Sequence, residues 1–352
     1  MDTGGSTAEV RLTRKRRKMQ SVTMMDVAKL AQVSPSTVSL YLRKPEAVSP
    51  SAGQDIARAI DTLGYVPNLV AGGLAAASSK VVSIIVPSIR NAFFAETVAT
   101  LQAELAAEGL QVLLGHTDYG ENQEEALVRT ALSWAPAAIV LTGLSHSRGT
   151  CKLLEASRVP VIEMWELGGE PLDMAVGFFH PQVGASAAGH LLSKGRRNLA
   201  FLGARMHEDR RAAQRANGFR DAGKAGGATI CEIVNHPGAA TVEAGALLLN
   251  RALQQVPNVD GIACSNDLIA LGVLFECQRR GIAIPKNIAL IGFGDLDFSA
   301  SCVPSLTTIR PSGDLIGKEV ARLILDSIHG SPPEGARRIV DTSHVLIERR
   351  ST

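Results

Sequence analysis

Residues 23–39 read Thr23-Met24-Met25-Asp26-Val27-Ala28-Lys29-Leu30-Ala31-Gln32-Val33-Ser34-Pro35-Ser36-Thr37-Val38-Ser39. Thr23 and Asp26 have the T-x-x-D spacing of a capping box, in which each side chain satisfies the other residue's backbone N–H. Val27, Leu30 and Ala31 then form one apolar stripe, so a short helix is expected after Thr23. Gln32-Val33 read as a turn. Ser34 suits an N-cap and Pro35 a first helical position, so a second short helix runs from Pro35 to about Leu42, with Val38 and Leu42 on its inner face. Ser49-Pro50 repeats the cap-then-proline signal. A third helix carries Ile56, Ala59, Ile60 and Leu63 and stops at Gly64. Two short helices joined by a tight turn, with a third to bury their faces, make either a plain three-helix bundle or a helix-turn-helix head. In a head of that kind the second helix enters the major groove of DNA. Here it presents Ser36, Thr37 and Ser39, with Arg43 and Lys44 at its end. Small hydroxyls permit close approach to phosphates and base edges, and the cations attract the backbone.

Charge supports the second alternative. Residues 1–80 hold 11 Lys and Arg against 6 Asp and Glu, whereas the other 272 hold 25 against 28. A basic unit on a slightly acidic body is the layout of a polyanion-binding head with a separate receptor. The run Arg11 to Lys18 is either part of that footprint or a solvated, disordered arm over residues 1–20.

Stretch 25–39 and Gly64-Tyr65-Val66-Pro67-Asn68-Leu69-Val70-Ala71 together resemble the DNA-binding head of the lactose-repressor (LacI/GalR) family. The likeness extends from about residue 23 to about 348, and Ser133-Trp134, Ala175-Val176-Gly177-Phe178 and Glu276-Cys277-Gln278-Arg279 resemble the gluconate-operon repressor branch. That resemblance implies a head over 21–65, a hinge over 66–79 that folds only on operator DNA, and an effector domain over 80–348. It also implies that Leu74 is driven into the minor groove as a wedge. Thr23, Ser34, Pro35, Ser36, Thr37, Ser39, Leu40, Arg43, Ser49 and Asn68 are the further DNA contacts expected. Two features depart from the family pattern. Gly72-Gly73 precede the wedge, and each Gly weakens a helix by ~1 kcal/mol relative to Ala. Leu40 stands where relatives place a polar or basic residue, and is suited to a thymine methyl.

The body alternates apolar strands with amphipathic helices. Val81–Val86, Leu110–Leu114, Ala138–Thr142, Val159–Glu163, Leu199–Gly203, Gly261–Cys264 and Ile288–Phe293 read as strands, and Phe94–Glu108 as a helix. The pattern predicts parallel α/β sheets covered on both faces, too long for one lobe. The fold class expected is thus a helix-turn-helix head, a hinge and a two-lobed, periplasmic-binding-protein-like doubly wound α/β domain. The resemblance implies lobe 1 over about 80–179 and 310–328, and lobe 2 over about 180–309 and 329–348. Ligands of such sheets bind at the carboxyl ends of strands, between the lobes.

Six residues are expected to line that cleft. Asn91 and Phe94 lie in a loop resembling the family's ligand loop, where an amide bonds a hydroxyl and an aromatic stacks on a sugar; Phe94 is otherwise a core residue. Arg215, in the family's R-x-x-G-F pattern, offers a planar fork for a carboxylate. Asn266 follows a strand in an N-D pair, either facing the cleft or capping the next helix. His146 and Asp295 complete the set. Neutral-sugar relatives carry acids near His146 and at Gly294, and their loss here is expected to admit an anion. The effector expected is accordingly a sugar acid such as gluconate or a ketogluconate, with a neutral or phosphorylated sugar as the alternative.

Other classes fit poorly. No apolar run reaches the ~20 residues of a membrane span, and none follows the basic stretch as in a secretory signal. The five cysteines form no C-x-x-C pair, as expected of reduced thiols in a cytoplasmic, nucleoid-associated protein. Gly292-Phe293-Gly294 lacks the third glycine of a dinucleotide loop, and no nucleophile-elbow, phosphate-loop or zinc-protease motif occurs. A nicotinamide enzyme and a transport receptor are therefore the weaker alternatives, and no cofactor or metal is expected. No leucine heptad follows residue 330, so the expected partners are operator DNA, the effector and one further copy of the chain.

Overall fold

The structure, a computed structural model, describes residues 22–66, 79–89, 92–330 and 338–352. It divides at Gly72 into two compact units.

In the first unit α1 (Met24–Leu30), α2 (Pro35–Arg43) and α3 (Pro50–Leu63) surround Val27, Ala28, Ala31, Val38, Ile56 and Ala59. The α1–α2 turn passes through Gln32 at φ 53°, and Gly64 closes α3 at φ 61°, a conformation an L side chain rarely adopts. The capping box forms as expected. The Thr23 N–H and hydroxyl donate to the Asp26 carboxylate at 2.8 and 2.7 Å, and the Asp26 N–H donates to Thr23 Oγ1 at 3.3 Å. Those bonds hold the Asp26 carboxyl below its usual pKa.

The second unit contains two six-stranded sheets. The first starts with β1 (Val81–Val86), α4 (Ala92–Ala107), β2 (Gln111–His116), α5 (Glu121–Ser133) and β3 (Ala138–Thr142). It continues through α6 (Arg148–Ser157), β4 (Val161–Met164) and β5 (Met174–Gly177). The chain then enters the second sheet through α7 (His180–Ser193), β6 (Asn198–Ala204), α8 (Arg210–Ala225), β7 (Ile230–His236) and α9 (Val242–Gln255). There follow β8 (Gly261–Cys264), α10 (Asp267–Arg280), β9 (Ala289–Phe293), α11 (Phe298–Ser301) and β10 (Thr307–Pro311). It returns through α12 (Gly313–Ile328), which packs on α4, to β11 (Ile339–Asp341), and crosses back for β12 (His344–Ile347). The strand orders are β11-β5-β4-β3-β1-β2 and β12-β10-β9-β8-β6-β7, parallel except where β12 meets β10. One expectation fails here. Ile339–Asp341 was expected in the second lobe with the rest of 329–348, but it pairs with Ala175–Gly177 in the first sheet. Three residues suffice because the backbone of β5 offers an open edge to pair with.

One apolar core runs from Val82, Ile84 and Phe94 under the first sheet through Trp165 and Phe178 to Phe201, Phe219 and Phe293 under the second. Where the sheets join, α7 and α8 lie almost in backbone contact. A Cβ at Gly184 would stand 1.9 Å from the Arg215 carbonyl oxygen, and one at Gly218 2.1 Å from that of Pro181. This close approach fixes the turn of α8 that carries Arg215. All five cysteines are free thiols, and among the described residues no helix is long and apolar enough to cross a membrane.

Candidate functional site

In the helical unit, Ser34 caps α2. Its Oγ accepts from the Thr37 N–H at 3.1 Å and lies 2.6 Å from Ser36 Oγ and 2.8 Å from Thr37 Oγ1. That cluster stiffens the first turn of the helix expected to enter the groove. Pro35, Ser36 and Arg43 are exposed there, and Thr37, Ser39 and Leu40 half-buried. Arg43 folds back to donate from Nε to the Ser39 carbonyl at 3.2 Å, which leaves its two terminal nitrogens as outward donors. Ser49 precedes Pro50 as expected but makes no side-chain cap; its Oγ lies 3.5 Å from Ser51 Oγ. The proline and the Gly53 N–H bond to the Ser49 carbonyl start that helix without it. Asn68 and Leu74 lie outside the described residues.

In the α/β unit, the carboxyl ends of β1 to β4 face those of β6, β8 and β9 across a cleft. Two cavities of about 340 Å³ each occupy it and share Tyr119. The first is bounded by Thr117, Glu124, Thr142, Glu166, Arg210 and Arg211. The second is bounded by Ser88, Asp118, Arg205, Asp209, Ser265 and Asn266. Polar links cross between the lobes. Arg205 pairs with Asp118 at 2.8 Å and Arg210 with Glu121 at 3.2 Å. Arg211 donates to the Thr142 carbonyl at 3.2 Å, and Gln214 to the Glu166 carboxylate at 2.6 Å.

Glu166 owes its place to Trp165. The tryptophan takes φ 70°, an uncommon conformation for so bulky a residue. It is held there by its N–H bond to the Val176 carbonyl at 2.8 Å and by its ring, which packs edge-on against Phe94 and Phe178. The next side chain is thereby turned into the cleft. Glu166 is 5% exposed and also accepts from the Leu144 N–H at 3.1 Å.

Arg215 lies at the join of the lobes, 5% exposed. Its Nη2 donates to the Ser265 carbonyl at 3.0 Å, and its guanidinium carbon stands 4.1 Å from the centre of the Phe293 ring. Its Nη1 donates to His180 Nδ1 at 3.0 Å. His180 Nε2 lies 2.8 Å from the Trp165 carbonyl, which can only accept, so Nε2 carries the proton and Nδ1 is the acceptor. Burial and then the charges of Arg215 and Arg211 hold His180 far below the usual histidine pKa, so it is neutral. Burial also pulls Arg215 down to about 10, still charged at neutral pH. Its buried Nε has no hydrogen-bond partner among the described residues. Among the described residues no carboxylate comes within 4.0 Å of this guanidinium.

The remaining expected cleft residues fare differently. Asn266 borders the second cavity, but its Oδ1 caps α10 by accepting from the Ile269 N–H at 3.0 Å, which leaves the amide nitrogen as its donor. The neighbouring Asp267 is a buried brace, accepting from Thr308, Ser299 and the Leu296 N–H. Phe94 is a core residue at 3% exposure, because Trp165 covers it. Asn91 lies outside the described residues. Asp295 is held by Arg310 and Arg349 at 2.5 and 2.7 Å, and these two cations take its carboxylate away from any ligand.

His146 departs furthest from expectation. Its Nδ1 lies 2.8 Å from Glu124 and its Nε2 3.0 Å from Glu163, with the ring 1% exposed. Burial alone would depress its pKa, but the two carboxylates overcome that and raise it to about 9. It is therefore a cation spent inside the protein, not one offered to a ligand. The cleft is also not stripped of acids, since Glu166 and Glu124 border the first cavity. Glu166, Gln214 and Arg211 escaped the sequence reading. Arg211 had left a signal, since it precedes Arg215 by four residues and so shares its helix face. Among the described residues no cluster of His, Cys, Asp or Glu is arranged for a metal.

Known proteins resemble this chain in both of its units. Residues 23–68 match the family described as bacterial regulatory proteins, lacI family, and residues 188–352 a periplasmic binding protein-like domain. The chain is 38% identical over 332 residues to the HTH-type transcriptional regulator GntR of Pseudomonas aeruginosa, covering 94% of this chain and 95% of that protein. A LacI family transcriptional regulator from Silicibacter pomeroyi superposes with a TM-score of 0.87 at 31% identity, over 94% of this chain and 99% of that one. Transcription regulator GntR from Chromobacterium violaceum gives 0.73 at 36% identity, over 77% of this chain and 98% of that one.

Proposed function

The chain belongs to the LacI family of bacterial regulatory proteins and is a DNA-binding transcriptional regulator, not an enzyme, and from that premise we propose that it is a cytoplasmic repressor released by a sugar acid. Two copies hold a near-palindromic operator, since a two-fold protein reads a two-fold site. The α2 helix presents Pro35, Ser36 and Leu40 to the major groove, and Leu74 wedges the minor groove at the centre. The effector is a small polyhydroxy monoacid of the gluconate or ketogluconate type, bound between the lobes. Closure around it shifts the lobes and unseats the hinge, a coupling typically worth ~1–3 kcal/mol.

The observation that carries the effector class is Arg215, a buried guanidinium without a carboxylate partner among the described residues. A buried charge left in that condition is costly unless a ligand completes it. Arg211, one turn earlier on α8, borders the first cavity and is a second cation on that helix. Glu166 from the other lobe and Gln214, which donates to it at 2.6 Å, suit hydroxyls, the carboxylate accepting and the amide serving either way. The similarity to regulators named GntR supports the same class. A neutral sugar is the second reading, favoured by Glu166 and Glu124 on the first cavity.

Calorimetric titration of the full chain with gluconate and with glucose separates them. Gluconate is expected to bind and glucose to give no heat of binding. Equal affinity, or none for either, would refute the sugar-acid reading.

A further inference from the structure

Arg215 has a neutral partner where an ion pair would be expected. We propose that His180 sets the charge preference of the effector cleft, by giving the Arg215 guanidinium a neutral imidazole nitrogen and so leaving its positive charge to be met by a ligand carboxylate. The inference rests on the sugar-acid reading above and adds to it the residue that makes the cleft select an anion.

The geometry leaves His180 no other protonation state. Its Nε2 proton is committed to the Trp165 carbonyl at 2.8 Å, and its Nδ1 lone pair to Arg215 Nη1 at 3.0 Å. A second proton would point at a guanidinium in a site closed to water, the ring being 1% exposed. The residue therefore orients Arg215 as a carboxylate would, but without cancelling its charge. The other acids near Arg215 are occupied. Asp209 caps α8 by accepting from the Ala212 N–H at 3.1 Å, and lies 3.9 Å from Arg211. Glu166 is bonded by Gln214 and the Leu144 N–H. Among the described residues, two of the five guanidinium N–H groups have partners. The same histidine links the lobes, since Trp165 follows β4 of the first sheet and Arg215 sits on α8 beside the second. A carboxylate drawn to Arg215 thus pulls on the joint itself.

The test compares His180→Asp with His180→Asn in the full chain, each checked by thermal melting and titrated calorimetrically with gluconate and glucose. Aspartate neutralises Arg215 and places a like charge beside the ligand carboxylate. A loss of more than about 30-fold in gluconate affinity is expected, with glucose affinity unchanged or raised. Asparagine offers Arg215 a neutral oxygen, so preference for gluconate over glucose is expected to survive. His180→Asp binding gluconate like the wild type would overturn the proposal. So would an equal loss in both variants, since that would mean the residue matters only for packing. If His180→Asp does not fold, the asparagine variant decides alone, and loss of its gluconate preference counts against the proposal. Wild-type protein that ignores gluconate would instead overturn the sugar-acid reading, and this inference with it.

Discussion

The buried His146 makes folding stability depend on pH in an unusual window. Its imidazole is clasped by Glu124 and Glu163, and its pKa rises from 6.5 to about 9. Each tenfold gain in proton affinity on folding corresponds to about 1.4 kcal/mol, so the protonated ring contributes roughly 3 kcal/mol. Because the folded value lies above the unfolded one, that contribution is fully present below about pH 6.5 and is lost as the pH rises through 9. It is a large share of the ~5–15 kcal/mol that holds a typical domain folded. Urea unfolding of wild type and His146→Gln between pH 6 and 9.5, followed by the fluorescence of Trp134 and Trp165, measures it. A glutamine donates from one nitrogen and leaves one of the two glutamates unpaired, so the variant is less stable at pH 6. The gap between the two proteins is expected to narrow by roughly 3 kcal/mol toward high pH. Parallel curves would refute the reasoning, as would an imidazole resonance titrating at or below 6.5.

Other perturbations follow from the same contacts. Gly184→Ala puts a methyl 1.9 Å from the Arg215 carbonyl, so α7 and α8 must part; thermal melting should show a loss of about 1–3 kcal/mol, and calorimetry a weakened gluconate affinity. Thr23→Ala removes the hydroxyl half of the capping box and leaves the Asp26 carboxylate bonded to the backbone N–H of residue 23, and should destabilise the head by about 1 kcal/mol in its own melting transition. Gly72→Ala with Gly73→Ala lowers the proposed cost of folding the hinge by up to about 2 kcal/mol. Operator affinity should then rise by as much as about 30-fold in fluorescence anisotropy, and no gain would show that the hinge glycines do not limit binding.

Local chemistry made the head legible. Thr23, Asp26, Ser34 and Gly64 act within a few residues of themselves, so their spacing carries their roles. Ser49 shows the limit, because Pro50 starts α3 without help from the hydroxyl. In the body, strongly apolar strands such as Val81–Val86 and Gly261–Cys264 stood out, while Met174–Gly177 and Ile339–Asp341 did not. Met174–Gly177 and Ile339–Asp341 hold four and three residues and take their place by pairing, the first with both Val161–Met164 and Ile339–Asp341. The cleft offered a motif for Arg215, whose contact with a ligand is a proposal. It was opaque where distant chain segments decided a side chain's fate. His146 looked like a cleft cation, yet its partners stand 22 and 17 residues away and turn it inward. Glu166 gave no local sign, since the unusual backbone of Trp165 aims it.

The central claim is that one chain joins a duplex-binding head to a receptor that senses a sugar acid. Fluorescence anisotropy with a labelled duplex from the DNA flanking the protein's own gene, titrated at low and moderate salt and then with gluconate, tests it most directly. Tight binding that falls steeply with salt, and a further fall on adding gluconate but not glucose, is the result this account predicts. A chain that ignores the duplex at low salt, or one that holds it equally well with and without gluconate, would contradict it.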